Sequence, residues 1–327
     1  MRKPGPGMCQ LFAGIAAFAG WSADESLAQN YPVKPIHLAV GFPAGSGADF
    51  VARIAAKKLS EHLGQNVVVE NRTGAGGTIA TERVALSPAD GYTLLMMTAA
   101  ETAQPALRAN LRYSLERDLA PVSLLATGTF VLVVHPSVPA RNVRELIALA
   151  RSQPGKLNYA SSGIGSSPHL AAGLLNGMAK VNIVQVQYRG ATETVTATAA
   201  GEVYISFPSI TAVLPLLEGG RLRPLAVTSA KRASLLPSLP TVDESGLPGY
   251  ERSTWHGVLT PAGVPKDIIA RLNAVIVKSV NTPEVKQSFD SQGLELQTNT
   301  AEEFAALIRN SVARNTRLIK TTGAKAE

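Results

Sequence analysis

Residues 40–50 read VGFPAGSGADF, and they join an apolar segment to an amphipathic one through a glycine-rich loop. The apolar run over 35–42 predicts a buried strand, and the spacing of apolar residues over 49–63 predicts a helix that ends at Gly64. A helix N-terminus offers free backbone N–H groups and the positive end of the helix dipole, and glycine lets a ligand come close to the backbone. The stretch therefore predicts an α/β fold with an anion-binding turn.

The same loop also has a purely structural interpretation. Ser46 and Asp49 have the spacing of a capping box, in which side chains satisfy the first N–H groups of a helix. Nucleotide binding is disfavoured, because Phe50 stands where the third glycine of a dinucleotide fingerprint belongs and no Gly-Lys-Ser or Gly-Lys-Thr motif occurs. The loop alone favours anion binding and helix capping about equally.

A second turn rich in serine and glycine occurs at residues 161–169, SSGIGSSPH. It follows a predicted strand over 156–160, and Ser167 and Pro168 are predicted as the N-cap and the first residue of the next helix. Two such turns, one in each half of the chain, indicate a cleft where two helix N-termini bind a carboxylate with neutral donors. His169 is predicted either to donate to that ligand or to cap the first helical turn.

Strand and helix patterns alternate along the chain, which indicates an α/β protein with a largely parallel sheet covered on both faces. We predict two α/β lobes, the second inserted in the first. Residues 29–125 and 253–327 form lobe 1, and residues 126–252 form lobe 2. Further strands are predicted at 67–70, 92–97, 122–134, 181–188, 203–207, 224–229 and 255–259, and further helices at 78–85, at 143–150, and from about residues 266, 283 and 301.

Capping patterns mark several of these helix starts. Asn142 with Glu145 and Thr300 with Glu303 have the spacing of capping boxes. These pairs predict that one helix begins just after residue 142 and that the last helix begins just after residue 300.

Two other positions are candidates for ligand contact. Arg189, in the turn Tyr188-Arg189-Gly190, is the one obvious cation near these loops. Its position fits either of two roles. Arg189 could form a bidentate pair with a ligand carboxylate, or it could be an exposed arginine in a turn. Thr98 ends the third predicted strand, at the sheet edge where α/β proteins bind ligands, and a buried or capping threonine fits there equally.

The N-terminal residues predict export. Arg2 and Lys3 precede a short apolar run over 11–21, and small residues before the predicted cleavage point after Ala28 complete a signal peptide over residues 1–28. The mature protein is therefore expected to be periplasmic. Cys9, the only cysteine in 327 residues, lies inside this signal, so no disulfide and no thiolate metal site are expected.

Composition and motifs argue against several function classes. The formal net charge is +7, but the basic residues are scattered, which argues against nucleic-acid binding. Neither Gly-x-Ser-x-Gly nor His-Glu-x-x-His occurs, and the five histidines are far apart. We therefore predict no catalytic residues, no metal and no cofactor. Trp255 and His256 have the position to line a cleft, although a tryptophan packed in the core is the simpler interpretation.

A series of ordered motifs covers the predicted mature chain. They are YPVKPI at 31–36, FPAG at 42–45 followed by Asp49, Ala52 and Arg53, VENRTGAGG at 69–77, DGYTLL at 90–95, ELI at 145–147, PGKLNYAS at 154–161, LAVTS at 225–229 with Lys231 and Arg232, and Trp255 with PAG at 261–263. With these motifs the chain resembles the periplasmic solute-binding receptors of tripartite tricarboxylate transporters, the Bug-type receptors.

This resemblance implies a two-lobed Venus-flytrap fold, similar to type II periplasmic binding proteins, that closes on a small organic acid. It implies delivery of the acid to integral membrane permease subunits by a monomer. In relatives the ligand lies between the first loop, the end of the third strand and the serine-rich loop. The predicted ligand-binding residues are Phe42, Pro43, Ala44, Gly45, Ser46, Asp49, Thr98, Ser161, Ser162, Gly165, Ser166, His169, Tyr188, Arg189, Gly190 and Phe207.

Three positions depart from the family pattern. Ser46 stands where a second glycine is common and adds a hydroxyl donor, and Gln187 replaces the usual proline before Tyr188. Pro208 follows Phe207 where many relatives have an aspartate that could face a ligand amine or hydroxyl. We therefore expect a di- or tricarboxylate, or an aromatic acid, that carries no amine.

Two other functions stay open at this point. A periplasmic sensor would use the same cleft and present its carboxylate-bound form to a signalling protein. An exported hydrolase would need a nucleophile and a base, and Ser161, Ser162 or Ser166 with His169 is the only local candidate set.

Overall fold

The computed structural model describes Met1 and residues 31–322. The rest of the predicted signal peptide, with Cys9, lies outside this part of the chain. No helix of the described part combines the length and the apolar character that crossing a membrane requires.

Within the described residues the chain forms eleven strands and ten α-helices. The strands are β1 (Ile36–Val40), β2 (Val67–Asn71), β3 (Thr93–Thr98), β4 (Leu119–Thr129), β5 (Val131–Val134), β6 (Asn158–Ser161), β7 (Val184–Gln187), β8 (Ile205–Ser206), β9 (Arg223–Val227), β10 (Ser253–Pro261) and β11 (Leu294–Leu296). The helices are α1 (Gly47–Leu63), α2 (Thr78–Ala85), α3 (Gln104–Leu107), α4 (Val143–Ser152), α5 (Ser167–Ala179), α6 (Ala191–Ala200), α7 (Ile210–Glu218), α8 (Lys266–Val280), α9 (Pro283–Asp290) and α10 (Ala301–Thr322). Single 3-10 turns lie at Ala75–Gly77 and Glu101–Ala103.

The first sheet has the strand order β11-β4-β10-β3-β1-β2. β1 pairs in parallel with β2 and β3, whereas β10 is antiparallel to β3 and β4. Helix α1 covers one face, where Leu59 packs with Leu38 of β1. α10 covers the other face, where Phe304 meets Trp255 with ring centroids 5.3 Å apart. Trp255 is therefore a core residue, as its simpler interpretation predicted.

The second sheet has the strand order β7-β6-β8-β5-β9. β6 is parallel to β7 and β8, and β5 is antiparallel to β8 and β9. Leu146 of α4 and Leu175 of α5 pack on one face, and Val195 of α6 and Val213 of α7 pack on the other. Each sheet is thus the centre of one α/β lobe, and the second lobe is inserted between strands of the first.

Both sheets are mixed, so the prediction of a largely parallel sheet is only partly right. β4 leaves the first sheet at Thr129, and β5 begins the second at Val131. The chain returns as β10, which pairs antiparallel to β4 from Ser253 onward. Because the chain passes through the second lobe before it returns, β10 runs antiparallel to β4. Local sequence patterns do not encode this strand direction.

The two chain crossings lie side by side and are tied together at Thr228. Its hydroxyl oxygen accepts the N–H of Phe130 at 3.0 Å and donates to the carbonyl of Arg252 at 2.6 Å. The N–H of Arg252 in turn donates to the Thr228 carbonyl at 2.7 Å. This double connection joins the two lobes.

Local capping predictions are mostly confirmed. Asn142 accepts the N–H of Glu145 at 2.9 Å, and Thr300 and Glu303 exchange hydrogen bonds at 3.0 and 3.1 Å. The predicted N-cap of α5 is wrong by one residue. Ser166, which is extended at ψ 155°, holds the cap position, and Ser167 is already helical.

Candidate functional site: the cleft between the lobes

The first loop is shaped by an internal network around Asp49. The side chain of Ser46 accepts the N–H of Asp49 at 3.3 Å and caps α1. The buried Asp49 carboxylate accepts hydrogen bonds from the N–H of Gly45, from Arg53 Nε and from Asn71 Nδ2, each at 2.9 Å. Burial raises the pKa of Asp49, but these hydrogen bonds together hold it below its usual value. Asp49 therefore fixes the loop from behind.

The opposite side of the same loop is open. Pro43, Ala44 and Gly45 are exposed, and Phe42 is half-buried. Gly45 has φ +81°, and a Cβ built there would have no atom within 4 Å. The backbone at Gly45 is thus accessible from solvent, at the positive end of the α1 dipole.

Thr98 lies at the end of β3 and pairs directly with His256 of β10. Directly opposed residues of an antiparallel pair share one face of the sheet. Two residues further along each strand, Met96 and Val258 pack in the cluster that contains α1. The side chains of Thr98 and His256 therefore lie on the face that α1 covers.

His256 lies beneath the start of α1. A Cβ at Gly47 would be 3.8 Å from its Cε1 and 3.9 Å from its Nε2. Burial lowers the pKa of His256 to about 4, so the ring is neutral at pH 7, and its buried Nδ1 has no hydrogen-bond partner among the described residues. His256 was considered as a cleft residue from sequence but not included in the predicted site.

The serine-rich loop caps α5 in the second lobe. Ser166 Oγ donates to the carbonyl of Gly163 at 2.7 Å and accepts the N–H of His169 at 3.4 Å. Ser161 is fully buried, and its Oγ accepts from Gln185 Nε2 at 2.7 Å and from the N–H of Gly163 at 3.3 Å. The Ser161 and Ser166 hydroxyls therefore hold the loop, while the half-buried Ser162 lies on it between them.

His169 is oriented by the loop that it follows. Its Nδ1 accepts the N–H of Gly165 at 3.1 Å, so the neutral ring carries its proton on Nε2. Burial lowers the pKa of His169, which favours this neutral form. The ring is 9% exposed and can offer one N–H donor at Nε2.

The two lobes touch at Gly165, which lies in the serine-rich loop. Gly165 has φ +80°, and a Cβ there would collide with Leu107 of α3 and lie 3.2 Å from Gln104 Nε2. A Cβ at Gly76 would lie 2.5 Å from the same nitrogen. Gln104 therefore sits between glycine loops of the two lobes. The position of Gln104 depends on contacts between the lobes, which cannot be predicted from the local sequence.

The remaining predicted residues lie at the end of the second sheet. The N–H of Tyr188 donates to the Ser161 carbonyl at 2.8 Å, which places the Tyr188-Arg189-Gly190 turn beside the serine-rich loop. Arg189 is exposed, and Gly190 precedes α6. The side chain of Phe207, predicted to contact the ligand, is 2% exposed and packs in the core of the second lobe.

These features are two capped helix N-termini, one in each lobe, each accompanied by neutral donors. Among the described residues, no group of three or more His, Cys, Asp or Glu side chains is arranged to hold a metal ion. The arrangement suits a small anion whose charge is met by backbone N–H groups, hydroxyls and a neutral imidazole.

Comparison with known proteins identifies the family. Residues 51–324 match the family model described as "Tripartite tricarboxylate transporter family receptor". The chain belongs to this receptor family. It is 34% identical to Protein BugT of Bordetella pertussis (strain Tohama I) over 323 residues, which cover 97% of this chain and 99% of BugT. The resemblance to Bug-type receptors is thereby confirmed.

Solved structures of the receptor family have the same fold. "R. palustris Rpa4515 with adipate" is similar with a TM-score of 0.81 and 35% identity, covering 90% of this receptor and 99% of that chain. "MatC (Rpa3494) from Rhodopseudomonas palustris with bound malate" is similar with a TM-score of 0.78 and 29% identity. The match covers 88% of this receptor and 100% of that chain. The predicted two-lobed binding-protein fold is confirmed.

Proposed function

We propose that this receptor captures a small organic carboxylate in the cleft between its lobes and delivers it to a tripartite tricarboxylate permease. The observation that carries the proposal is the pair of capped helix N-termini, α1 and α5, each preceded by a loop that contains glycine. Each end can receive a carboxylate without a positively charged side chain. The adipate and malate bound by two similar proteins support a ligand with two carboxylates.

The proposed ligand site comprises the predicted residues together with His256 and Gln104. Within it, Gly45, Thr98, Ser162 and His169 are assigned to direct contact. Asp49, Ser161, Ser166 and Phe207 are assigned to support, because their side chains are engaged within loops or in the core. We assign residues 29–129 and 253–327 to lobe 1 and residues 130–252 to lobe 2, because β4 stays in the first sheet to Thr129, beyond the boundary at residue 125 that the sequence predicted. The protein is exported to the periplasm by residues 1–28 and acts as a monomer.

A hydrolytic function is disfavoured by the hydrogen bonds of the serine-rich loop. Ser161 Oγ is held by Gln185 and Gly163, and Ser166 Oγ donates to a backbone carbonyl. His169 Nδ1 accepts from Gly165. A nucleophile bonded to a general base, which hydrolysis requires, is not formed by these groups.

Isothermal titration with paired ligands tests the proposal. Malate, adipate, citrate and benzoate are compared with aspartate and 2-aminoadipate, the amine-bearing counterparts of two of them. We expect at least one acid without an amine to bind more tightly than its amino-acid counterpart, because Pro208 offers no carboxylate for an ammonium group. Tighter binding of both amino acids would overturn the expected ligand class, and no binding of any acid would overturn the receptor function.

A further inference from the structure

Glu101 is a buried carboxylic acid directly behind the proposed ligand site. It lies in the 3-10 turn after β3 and is 0% exposed. Its Oε2 accepts the N–H of Thr98 at 3.1 Å and lies 2.5 Å from the Thr98 hydroxyl oxygen. Its Oε1 is enclosed and has no hydrogen-bond partner among the described residues. Both of these hydrogen-bond contacts of the carboxyl are with Thr98.

This geometry fits an uncharged carboxyl better than an ionised one. An ionised group would place half its charge on Oε1, which has no donor, and burying an unpaired charge is costly. A neutral group with its hydrogen on Oε1 would leave that hydrogen without an acceptor. With the hydrogen on Oε2, the acceptor is Thr98 Oγ, 2.5 Å away. Burial also raises the pKa of Glu101, to about 8.

The uncharged form determines what the Thr98 hydroxyl can do. Thr98 Oγ already accepts the N–H of Ala100 at 3.1 Å. A hydroxyl oxygen has two acceptor positions and one hydrogen. If Glu101 also donates to it, both acceptor positions are filled and the hydroxyl hydrogen is left to bond elsewhere.

We propose that Glu101 is a positioning residue for ligand binding: as an uncharged carboxyl it donates to Thr98 Oγ and leaves the Thr98 hydroxyl to donate to a carboxylate of the ligand. An ionised Glu101 would take that hydrogen for itself and would place a negative charge behind an anion site. The inference rests on the proposed function in one respect, namely that the cleft binds a carboxylate.

Few other groups near Glu101 titrate between pH 6.5 and 9. Burial and the neighbouring Glu101 raise the pKa of Tyr113, which stays protonated. On β10, burial keeps His256 neutral. Facing the turn from α10, Asn315 binds Thr102 and Arg252, and burial lowers the pKa of Arg252 only to about 10.

The charged groups beyond these are paired. On α2, Glu82 lies 3.8 Å from Arg112, and on α10, Arg314 binds Glu251 at 2.9 Å. The part of a change in binding between pH 6.5 and 9 that Glu101→Gln removes therefore reports on Glu101.

Infrared spectroscopy of the unliganded protein tests the protonation directly. We expect the carbonyl band of a protonated carboxylic acid at pH 6.5, its loss as the pH rises through about 8, and its absence from Glu101→Gln. Glu82→Gln, on the neighbouring helix, is the matched control and should retain the band. Absence of the band from the wild-type protein at pH 6.5 would overturn the proposal, whatever ligand the protein binds.

Titration with adipate tests the effect on the ligand. We expect the wild-type affinity to fall about tenfold or more between pH 6.5 and 9, because a hydrogen bond to a charged group is lost. Glu101→Gln should show no such fall, Glu82→Gln should show the wild-type fall, and Thr98→Val should already bind about tenfold more weakly at pH 6.5. An equal fall in Glu101→Gln would overturn the assignment. If neither adipate nor malate, citrate or benzoate binds at either pH, the claim about the ligand falls with the proposed function, and the infrared band still decides the state of Glu101.

Discussion

His169 Nδ1 accepts the backbone N–H of Gly165 at 3.1 Å, two residues from the start of α5. This bond joins the glycine loop of the second lobe to the ring that follows it. It fixes the neutral tautomer, so the only N–H of the ring is on Nε2. The loop thereby determines the chemical character of His169 as a donor to an anion.

Replacing His169 with phenylalanine keeps a ring of similar size and removes the donor. We expect carboxylate binding to weaken by about 1.5 kcal/mol, roughly tenfold, since a hydrogen bond to a charged acceptor is lost. Titration calorimetry measures the change. His62→Phe, on the exposed side of α1, is the control and should bind as the wild type does. An unchanged Kd in His169→Phe would remove His169 from the ligand site.

Gly45→Val tests whether the ligand approaches the backbone of the first loop. Gly45 has φ +81° and Gly64 has φ +68°, and a Cβ at either position meets no atom within 4 Å. Gly64→Val is therefore a matched control at the far end of α1. Both substitutions should destabilise the fold by about 1–2 kcal/mol through left-handed backbone strain.

Only Gly45→Val should abolish binding, because only its side chain would fill the cleft. Chemical denaturation and titration calorimetry on both variants separate the two effects. Loss of binding in both variants, or in neither, would contradict the placement of the site.

Arg189→Ala tests the exposed cation beside the serine-rich loop. The proposed site needs no positively charged side chain, so removing this guanidinium should weaken binding of a dicarboxylate only slightly, whereas loss of a direct pair with a ligand carboxylate would cost about 1.5–3 kcal/mol. Lys156→Ala removes the same charge near the opposite end of β6 and should have little effect. Calorimetry at high and low salt distinguishes a direct pair from long-range attraction, and equal small losses in both variants would exclude a direct contact.

Folding stability should depend on pH through Glu101 and His256 with opposite signs. The pKa of Glu101 is raised by burial to about 8 from an ordinary 4.5, so its contribution is complete below pH 4.5 and is lost as the pH rises through 8. The pKa of His256 is lowered by burial to about 4 from an ordinary 6.5, so its contribution is complete above pH 6.5 and is lost as the pH falls through 4. The two effects oppose each other between pH 4.5 and 6.5.

Between pH 6.5 and 8 the effect of Glu101 stands alone. The free energy of unfolding of Glu101→Gln should rise relative to wild type by about 1.4 kcal/mol per pH unit over that range. Urea denaturation at pH 6.5, 7 and 7.5 measures this difference. Parallel curves for the two proteins would show that Glu101 is ionised in the folded state.

The local parts of the structure could be predicted from the sequence, because they depend on residues close together in the chain. Gly64 ends α1 in the left-handed conformation, and the Thr300 and Glu303 capping box begins α10 as its spacing indicates. The two glycine-rich loops were recognised for the same reason. Helix α7, which contains Pro215, and the three-residue strand β11 carry weak local signals and were missed.

The nonlocal parts of the candidate site could not be predicted in this way. His256 faces Thr98 only because β10 returns from the second lobe and pairs with β3 across more than 150 residues. The role of Glu101 depends on complete burial and on an oxygen without a partner, and neither follows from its neighbours in sequence. The glycine-rich loops were therefore predictable, whereas the buried groups behind them were not.

The most direct test of carboxylate capture is native mass spectrometry of the protein purified from the periplasm of expressing cells without refolding. The proposed function predicts an added mass, equal to that of an organic acid, that leaves on denaturation and is absent from Gly45→Val. A wild-type protein that carries no ligand, and that stays unliganded after incubation with malate, adipate, citrate and benzoate, would contradict it.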